Sequence, residues 1–90
     1  MPKFLVERDI PGAGSLTPVV LKKMAVKSVS VLKDMGPQIQ WLHSYVTDDK
    51  IYSVYIAPDK AMILVHAKMA GLPTRSVVRI SSRLYPETAE

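Results

Sequence analysis

Apolar and polar residues alternate in three parts of the chain, a pattern that predicts β-strands with one covered face each. Residues 3–9 (KFLVERD) form the first such stretch, and residues from about 75 to 84 form the last. Between them, residues 38–57 (QIQWLHSYVTDDKIYSVYIA) alternate on both sides of an Asp-Asp pair. Because Asp tolerates the backbone conformations of tight turns, this stretch predicts a β-hairpin with Asp48 and Asp49 at its turn.

Two other stretches have apolar residues at helical spacing and carry typical helix ends. Thr17-Pro18 predicts the start of the first helix, with Thr17 as N-cap, and Gly36-Pro37 predicts its end. Pro58-Asp59 opens a second helix, which Gly71-Leu72-Pro73 closes. The order β-α-β-β-α-β is that of a ferredoxin-like α+β fold, a four-stranded antiparallel sheet with both helices on one face. Right-handed crossovers place strand 1 between strands 3 and 4, in a single domain spanning residues 1–90.

Strand parity divides the predicted sheet into a helix-covered face and an uncovered face. Counting outward from the turn gives these cross-strand pairs: Tyr45 with Tyr52, His43 with Val54, and Trp41 with Ile56. The face predicted to lie under the helices collects Phe4, Val6, Leu42, Val46, Ile51, Tyr55, Val78, Ile80 and Leu84. The face predicted to be uncovered carries Leu5, Glu7, Trp41, His43, Tyr45, Tyr52, Val54, Arg79, Ser81 and Arg83.

The predicted uncovered face is too apolar to face water, since its aromatic residues together exceed the apolar patch that monomers usually expose. We expect a second copy of the chain to cover it, sheet against sheet, in a homodimer or larger assembly. A small ligand would then bind in the space between the two sheets, where Glu7, Trp41, Tyr45, Tyr52 and Arg79 are the candidate contacts.

Composition narrows the class of protein. Ninety residues make one small domain, and 48% apolar residues suffice for a core. The absence of cysteine excludes disulfides and thiolate sites, and neither a leader segment nor a membrane span is expected, so we predict a soluble cytoplasmic protein without a membrane partner. The net charge of +4 is spread over the first helix and the last strand, a pattern typical of solvated surfaces. Nucleic acid is not expected as a partner, because the third strand KIYSVYIA lacks the pattern of an RNA-recognition motif.

Three side chains are candidates for chemistry. His43, in mid-strand beside aromatic residues, is interpretable as a metal ligand, a general base or a hydrogen-bonded interface residue. Glu7 is predicted to form an ion pair with Arg79 on the neighbouring strand. The pair either only neutralises two charges, or makes Glu7 a ligand or proton acceptor whose pKa is set by Arg79. His66 lies in the second helix with Met62 and Met69 on the same inward side. It is interpretable as a histidine at the edge of the core, or as one of three side chains that could bind a soft metal.

The strings MPKFLVERDIPGAG, GPQIQWLHSYVTDDKIYSVYIAP and HAKMAGLP resemble a family of small bacterial ferredoxin-like domains of unknown function that includes a nickel-binding, nickel-responsive member. The resemblance implies dimers and a site for Ni²⁺ or another divalent transition metal, with His43 and His66 as its ligands and Glu7 as a weaker one. Similar chains often have Cys where Ser28 or Ser53 stands, which removes soft ligands here. The second helix is also more apolar than is usual, which predicts Leu64 in an interface.

Two functions remain open from the sequence. The first is a dimeric protein that binds a metal or a small molecule without demonstrated catalysis. The alternative is a cofactor-free isomerase or oxygenase of the dimeric ferredoxin-like barrel type, acting on a small anionic or aromatic substrate. In that enzyme His43 would be the acid-base group, Tyr45 or Tyr52 would orient the substrate, and Arg79 would hold its anionic group. A closed apolar pocket on the uncovered face would favour the enzyme.

Overall fold

A computed structural model describes all residues from Met1 to Glu90. The elements, in chain order, are β1 (Lys3–Asp9), α1 (Pro18–Met35), β2 (Gln40–Val46), β3 (Lys50–Ile56), α2 (Lys60–Ala70) and β4 (Ser76–Ile80), with short 3₁₀ turns at Ala13–Ser15 and Pro86–Ala89. The sheet has the strand order β2-β3-β1-β4, and all neighbours are antiparallel. The predicted ferredoxin-like order, with strand 1 between strands 3 and 4, is therefore confirmed.

The helices begin and end where the sequence predicts. The hydroxyl oxygen of Thr17 accepts a hydrogen bond from the backbone N–H of Val20 at 3.3 Å, which caps α1. The Asp59 carboxylate accepts one from the N–H of Met62 at 2.9 Å, which caps α2. Gly71 follows α2 with φ of +70°, in the left-handed region that glycine adopts without strain.

The loop before α1 docks on the tip of the β2–β3 hairpin. The N–H of Gly14 donates to the carbonyl oxygen of Asp48 at 3.0 Å, and the N–H of Gly12 donates to the Asp49 carboxylate at the same distance. A Cβ atom on Gly14 would lie only 3.0 Å from the Cα of Asp48. The predicted Asp-Asp turn thus exists and holds this loop through one backbone carbonyl and one carboxylate.

The hairpin register contains a bulge that the sequence did not predict. Tyr45 pairs with Tyr52 and His43 pairs with Val54, as predicted, but the register shifts between His43 and Trp41. Trp41 therefore pairs with Tyr55 instead of Ile56. Because one inserted residue reverses strand parity, the bulge moves the indole to the helix-covered face. The predicted place of Trp41 on the uncovered face is wrong.

Strand β4 has the opposite parity from the one predicted. Leu5 pairs with Val78, and Phe4 pairs with Arg79. Val78 therefore shares the uncovered face with Leu5, whereas Arg79 belongs to the side of Phe4, and both assignments correct the prediction. The strand also ends at Ile80. Leu84, predicted under the helices, lies beyond it and is 87% exposed.

The core lies between the sheet and the helices. Its buried apolar members are Phe4, Val6, Ile39, Tyr55, Ala57, Ile63 and Val77. Helix α2 buries four residues against the sheet side, but α1 buries only Ser28. Leu21 and Met24 of α1 remain half-buried and line a cleft between α1 and the hairpin. The helix layer is thus tight under α2 and open under part of α1.

Candidate functional site

The sheet face opposite the helices is the first candidate surface, and we call it the uncovered face. The register assigns to it Lys3, Leu5, Glu7, Asp9, Gln40, His43, Tyr45, Lys50, Tyr52, Val54, Ile56, Ser76, Val78 and Ile80. The rings of His43 and Tyr45 lie edge to face with centroids 5.2 Å apart. Tyr45 is 62% exposed, and Val78 is 51% exposed. The uncovered face therefore presents aromatic and aliphatic surface together with an exposed imidazole.

Glu7 lies on the uncovered face as predicted, but its predicted ion pair with Arg79 is wrong. Its carboxylate contacts the ammonium of Lys50, accepts a hydrogen bond from Ser76 at 3.3 Å, and lies 4.0 Å from the Arg75 guanidinium. The hydrogen bond from Lys50, with its charge, holds the pKa of Glu7 below its ordinary value. The carboxylate is thus occupied by cations of its own chain.

Asp9 completes this group of charges at one end of the uncovered face. It accepts a hydrogen bond from Arg75 at 2.8 Å and contacts Lys50 at 3.0 Å. The hydrogen bond from Arg75, followed by that from Lys50, lowers the pKa of Asp9. Two acidic and two basic side chains therefore compensate each other within the face.

His66 lies on the other side of the sheet from His43. The imidazole is fully buried, its centroid is 5.5 Å from that of Tyr55, and its Nε2 donates a long hydrogen bond (3.4 Å) to the carbonyl oxygen of Ser28. Burial lowers the pKa of His66, and the nearby charge of Arg8 lowers it further. Nδ1 is buried without a hydrogen-bond partner.

The structure does not bring the candidate metal ligands together. His66 points inward as predicted, and Met62 packs against the core, but Met69 is exposed. No group of three or more His, Asp or Glu side chains is close enough to hold a metal ion. Since the sheet separates His43 from His66, these two residues belong to different surfaces.

Arg8 is a site residue that the sequence analysis missed. It follows Phe4 and Val6 on the covered side of β1 and is only 1% exposed. Its guanidinium donates to the carbonyl oxygen of Pro73 at 3.0 Å, to the hydroxyl of Thr74 at 3.1 Å and to the phenol of Tyr55 at 3.1 Å. Strand parity was the signal that could have found it, because Phe4, Val6 and Arg8 are evenly spaced along one face.

Arg8 lines the cleft between α1 and the hairpin, which has a volume of about 220 Å³. Its hairpin wall carries Trp41, whose indole N–H donates to Ser44 at 2.9 Å, and Ser44 in turn shares a hydrogen bond of 2.7 Å with Ser53. The wall on α1 is mainly aliphatic. This concave region lies on the helix-covered side of the sheet, so its position does not favour the predicted enzyme with a pocket on the uncovered face.

These features define a small ferredoxin-like α+β domain with one helix-covered and one uncovered sheet face. The chain belongs to the family described as nickel responsive protein SCO4226-like, whose model matches residues 4–80. This assignment confirms the resemblance seen in the sequence.

The fold has a counterpart among solved structures, the crystal structure of SCO4226 from Streptomyces coelicolor A3(2). The two structures have a TM-score of 0.76 over 91% of this chain and 99% of that one, with 14% sequence identity. At that identity the likeness extends to the fold alone. No curated protein matches the chain, and neither helix is of the length and apolar character needed to cross a bilayer.

Proposed function

We propose that this protein is a homodimeric binding protein in which a second copy covers the uncovered face and His43 contributes to a ligand or metal site between the copies. The observation that carries this proposal is the exposed imidazole of His43, which meets the ring of Tyr45 edge to face within a face of apolar and aromatic side chains. The imidazole of His66 is hydrogen-bonded to Ser28, whereas the ring of His43 has no hydrogen bond within the chain and is free to bind a ligand. The family description makes nickel the first ion to test.

One chain alone does not fit a nickel site. His43 is the single imidazole on the uncovered face, Glu7 is held by Lys50, and His66 is buried on the far side of the sheet. Nickel in proteins takes several nitrogen or oxygen ligands. Binding through His43 therefore requires donors from the partner copy, and metal binding and dimerisation should be lost together.

The charges of the uncovered face support a second copy as its occupant. Glu7 and Asp9 are neutralised by Lys50 and Arg75 within the same chain. Two copies can therefore approach face to face without a large like-charge penalty. The exposed side chains of Tyr45 and Val78 supply apolar area for the contact.

Isothermal titration with Ni(II), Zn(II) and Cu(II), after removal of any His-tag, tests the metal site. We expect the heat of Ni(II) binding to vanish in His43→Ala and to persist in His66→Gln, with one ion per two chains. His66→Gln is the matched control because it removes the other imidazole of the chain. Binding that survives His43→Ala, or one ion per monomeric chain, would contradict the proposed site.

Sedimentation velocity tests the proposed interface independently of metal. Tyr45→Asp and Val78→Asp each place a charge on the uncovered face and should convert dimer to monomer. Leu64→Asp is the control on the exposed side of α2, where the sequence predicted an interface. A dimer that persists in both face variants but dissociates in Leu64→Asp would place the interface on α2 instead.

A further inference from the structure

Arg8 is a buried cation without an anionic partner in its own chain. The acceptors of its hydrogen bonds are a carbonyl oxygen, a hydroxyl and a phenol, all of them neutral. The acidic residues on either side of it, Glu7 and Asp9, lie on the other face of the sheet and pair with Lys50 and Arg75. An arginine with 1% exposure is expected to have a counter-charge, because burial of an unpaired charge is costly.

The guanidinium also has more N–H donors than its hydrogen bonds use, and it borders the cleft between α1 and the hairpin. An Arg fork is suited to a planar carboxylate, which it can bind with two parallel hydrogen bonds. The imidazole of His66 also lies near Arg8 on this side of the sheet, but it carries no negative charge in either protonation state and is therefore not a counter-ion.

The size and walls of the cleft limit the ligand. Its volume of about 220 Å³ exceeds the roughly 150 Å³ of an apolar cavity known to admit benzene, so a ring and a carboxylate can fit together. Met24 and Leu21 on α1 face Trp41 on the hairpin across this space and supply apolar contacts for a ring. Ser44 and Ser53 are hydrogen-bonded to each other, and Arg8 is the one charged residue that lines the cleft.

We propose that the cleft between α1 and the hairpin binds a small monocarboxylate with an apolar body of about ring size, its carboxylate on Arg8 and its body between Met24 and Trp41. This site lies on the opposite side of the sheet from the proposed dimer contact. It is therefore independent of dimerisation and of any metal bound through His43.

Calorimetric titration of the full chain with benzoate and with benzamide, its neutral analogue, tests the proposal. We expect benzoate to bind in the millimolar range or tighter and benzamide to bind at least about tenfold more weakly, because the amide lacks the charge that Arg8 recognises. Equal affinities for the two probes, or no binding of benzoate, would overturn the proposal.

A variant that fills the cleft locates the binding site. Ala25 lines the cleft from α1, whereas Val26 next to it is 59% exposed on the outer side of the same helix. Ala25→Phe should abolish benzoate binding, and Val26→Phe should leave it unchanged. Benzoate binding that survives Ala25→Phe would contradict the assignment to this cleft. Ni(II) binding should be retained in that variant, which distinguishes a failure of the cleft proposal from a failure of the metal site at His43.

Arg8→Met is the direct test of the cation. Where this variant keeps the wild-type circular dichroism spectrum, it should lose the preference for benzoate over benzamide. Where it does not fold, the ratio of the two affinities in the wild type and the Ala25→Phe result decide the question without it.

Discussion

The phenol of Tyr55 offers a direct measure of how the buried Arg8 is held in the folded chain. Tyr55→Phe removes one oxygen, which accepts a hydrogen bond from the guanidinium at 3.1 Å, and keeps the ring that packs in the core. Because the side-chain volume barely changes, little cavity energy enters the comparison. What remains is the loss of a buried hydrogen bond to a charged donor, which costs about 1.5–3 kcal/mol.

Urea unfolding followed by circular dichroism measures this loss as a change in the free energy of unfolding. For a domain of this size it corresponds to a fall in Tm of roughly 6–24 °C. All variants are compared at one protein concentration, because self-association would add a concentration-dependent stability.

Tyr45→Phe is the matched control, since it removes the same oxygen from a phenol that is 62% exposed on the uncovered face. We expect it to change the free energy of unfolding by less than about 0.5 kcal/mol. If Tyr55→Phe and Tyr45→Phe agree within that margin, the phenol does not stabilise the buried guanidinium, and the reasoning from its hydrogen bond is refuted.

Three further predictions concern the loop, a helix cap and the charges of the uncovered face. Gly14→Ala should lower the free energy of unfolding by about 1–3 kcal/mol in urea, since the new Cβ would lie 3.0 Å from the backbone of Asp48; an unchanged midpoint would contradict the close approach. Asp59→Ala removes the cap of α2 and should cost about 1 kcal/mol, whereas Asp59→Asn should retain most of that stability. The pKa values of Glu7 and Asp9 are lowered in the folded chain, so at acidic pH the unfolded chain binds more protons than the folded one. The stability that these two carboxylates contribute is therefore complete above their ordinary pKa values of 4.5 and 3.8. It is lost as the pH falls through their lowered pKa values. Urea midpoints from pH 7 to pH 2 should show this fall, and Glu7→Gln should reduce it; equal slopes would count against the ion pairs.

The element order and helix ends were predictable because local chemistry specifies them. Thr17 and Asp59 cap helices with their own side-chain oxygens, and Gly71 ends one through its left-handed backbone. These signals act over a few residues and need no knowledge of the tertiary structure. The central position of β1 followed from the handedness of the crossovers, which is also a general rule.

It was harder to predict which residues of β2 and β4 lie on each face of the sheet. An error of one residue in the register moves every following side chain of the strand to the opposite face. The bulge between Trp41 and His43 has no Gly or Pro to announce it, and it reversed the predicted place of the indole. In β4, Val77 and Val78 are adjacent and equally apolar, so the pattern does not indicate which one faces the core. The error there placed Arg79 on the same face as Glu7, from which the observed register separates it.

The candidate site was predicted only in part, for a related reason. His43 and Tyr45 were placed correctly, since they lie between the turn and the bulge and keep their register. Arg8 was missed because charged residues are normally assigned to the surface, and only the contacts with Pro73 and Tyr55 explain its burial. The cleft itself depends on how far α1 stands from the hairpin, a tertiary property that local patterns do not contain.

The bulge in β2 also determines what the single tryptophan of the chain can report. Trp41 lies in the wall of the cleft, while Tyr45 and Tyr52 lie on the opposite side of the sheet. Indole emission therefore responds to a molecule that enters beside α1 and should remain steady when a second copy docks on the far face. Tyr45 and Tyr52 are exposed to a second copy on that far face, whereas Tyr55 lines the cleft together with Trp41. The single indole is thus an intrinsic probe of the cleft, with which its occupancy can be followed in an unlabelled sample.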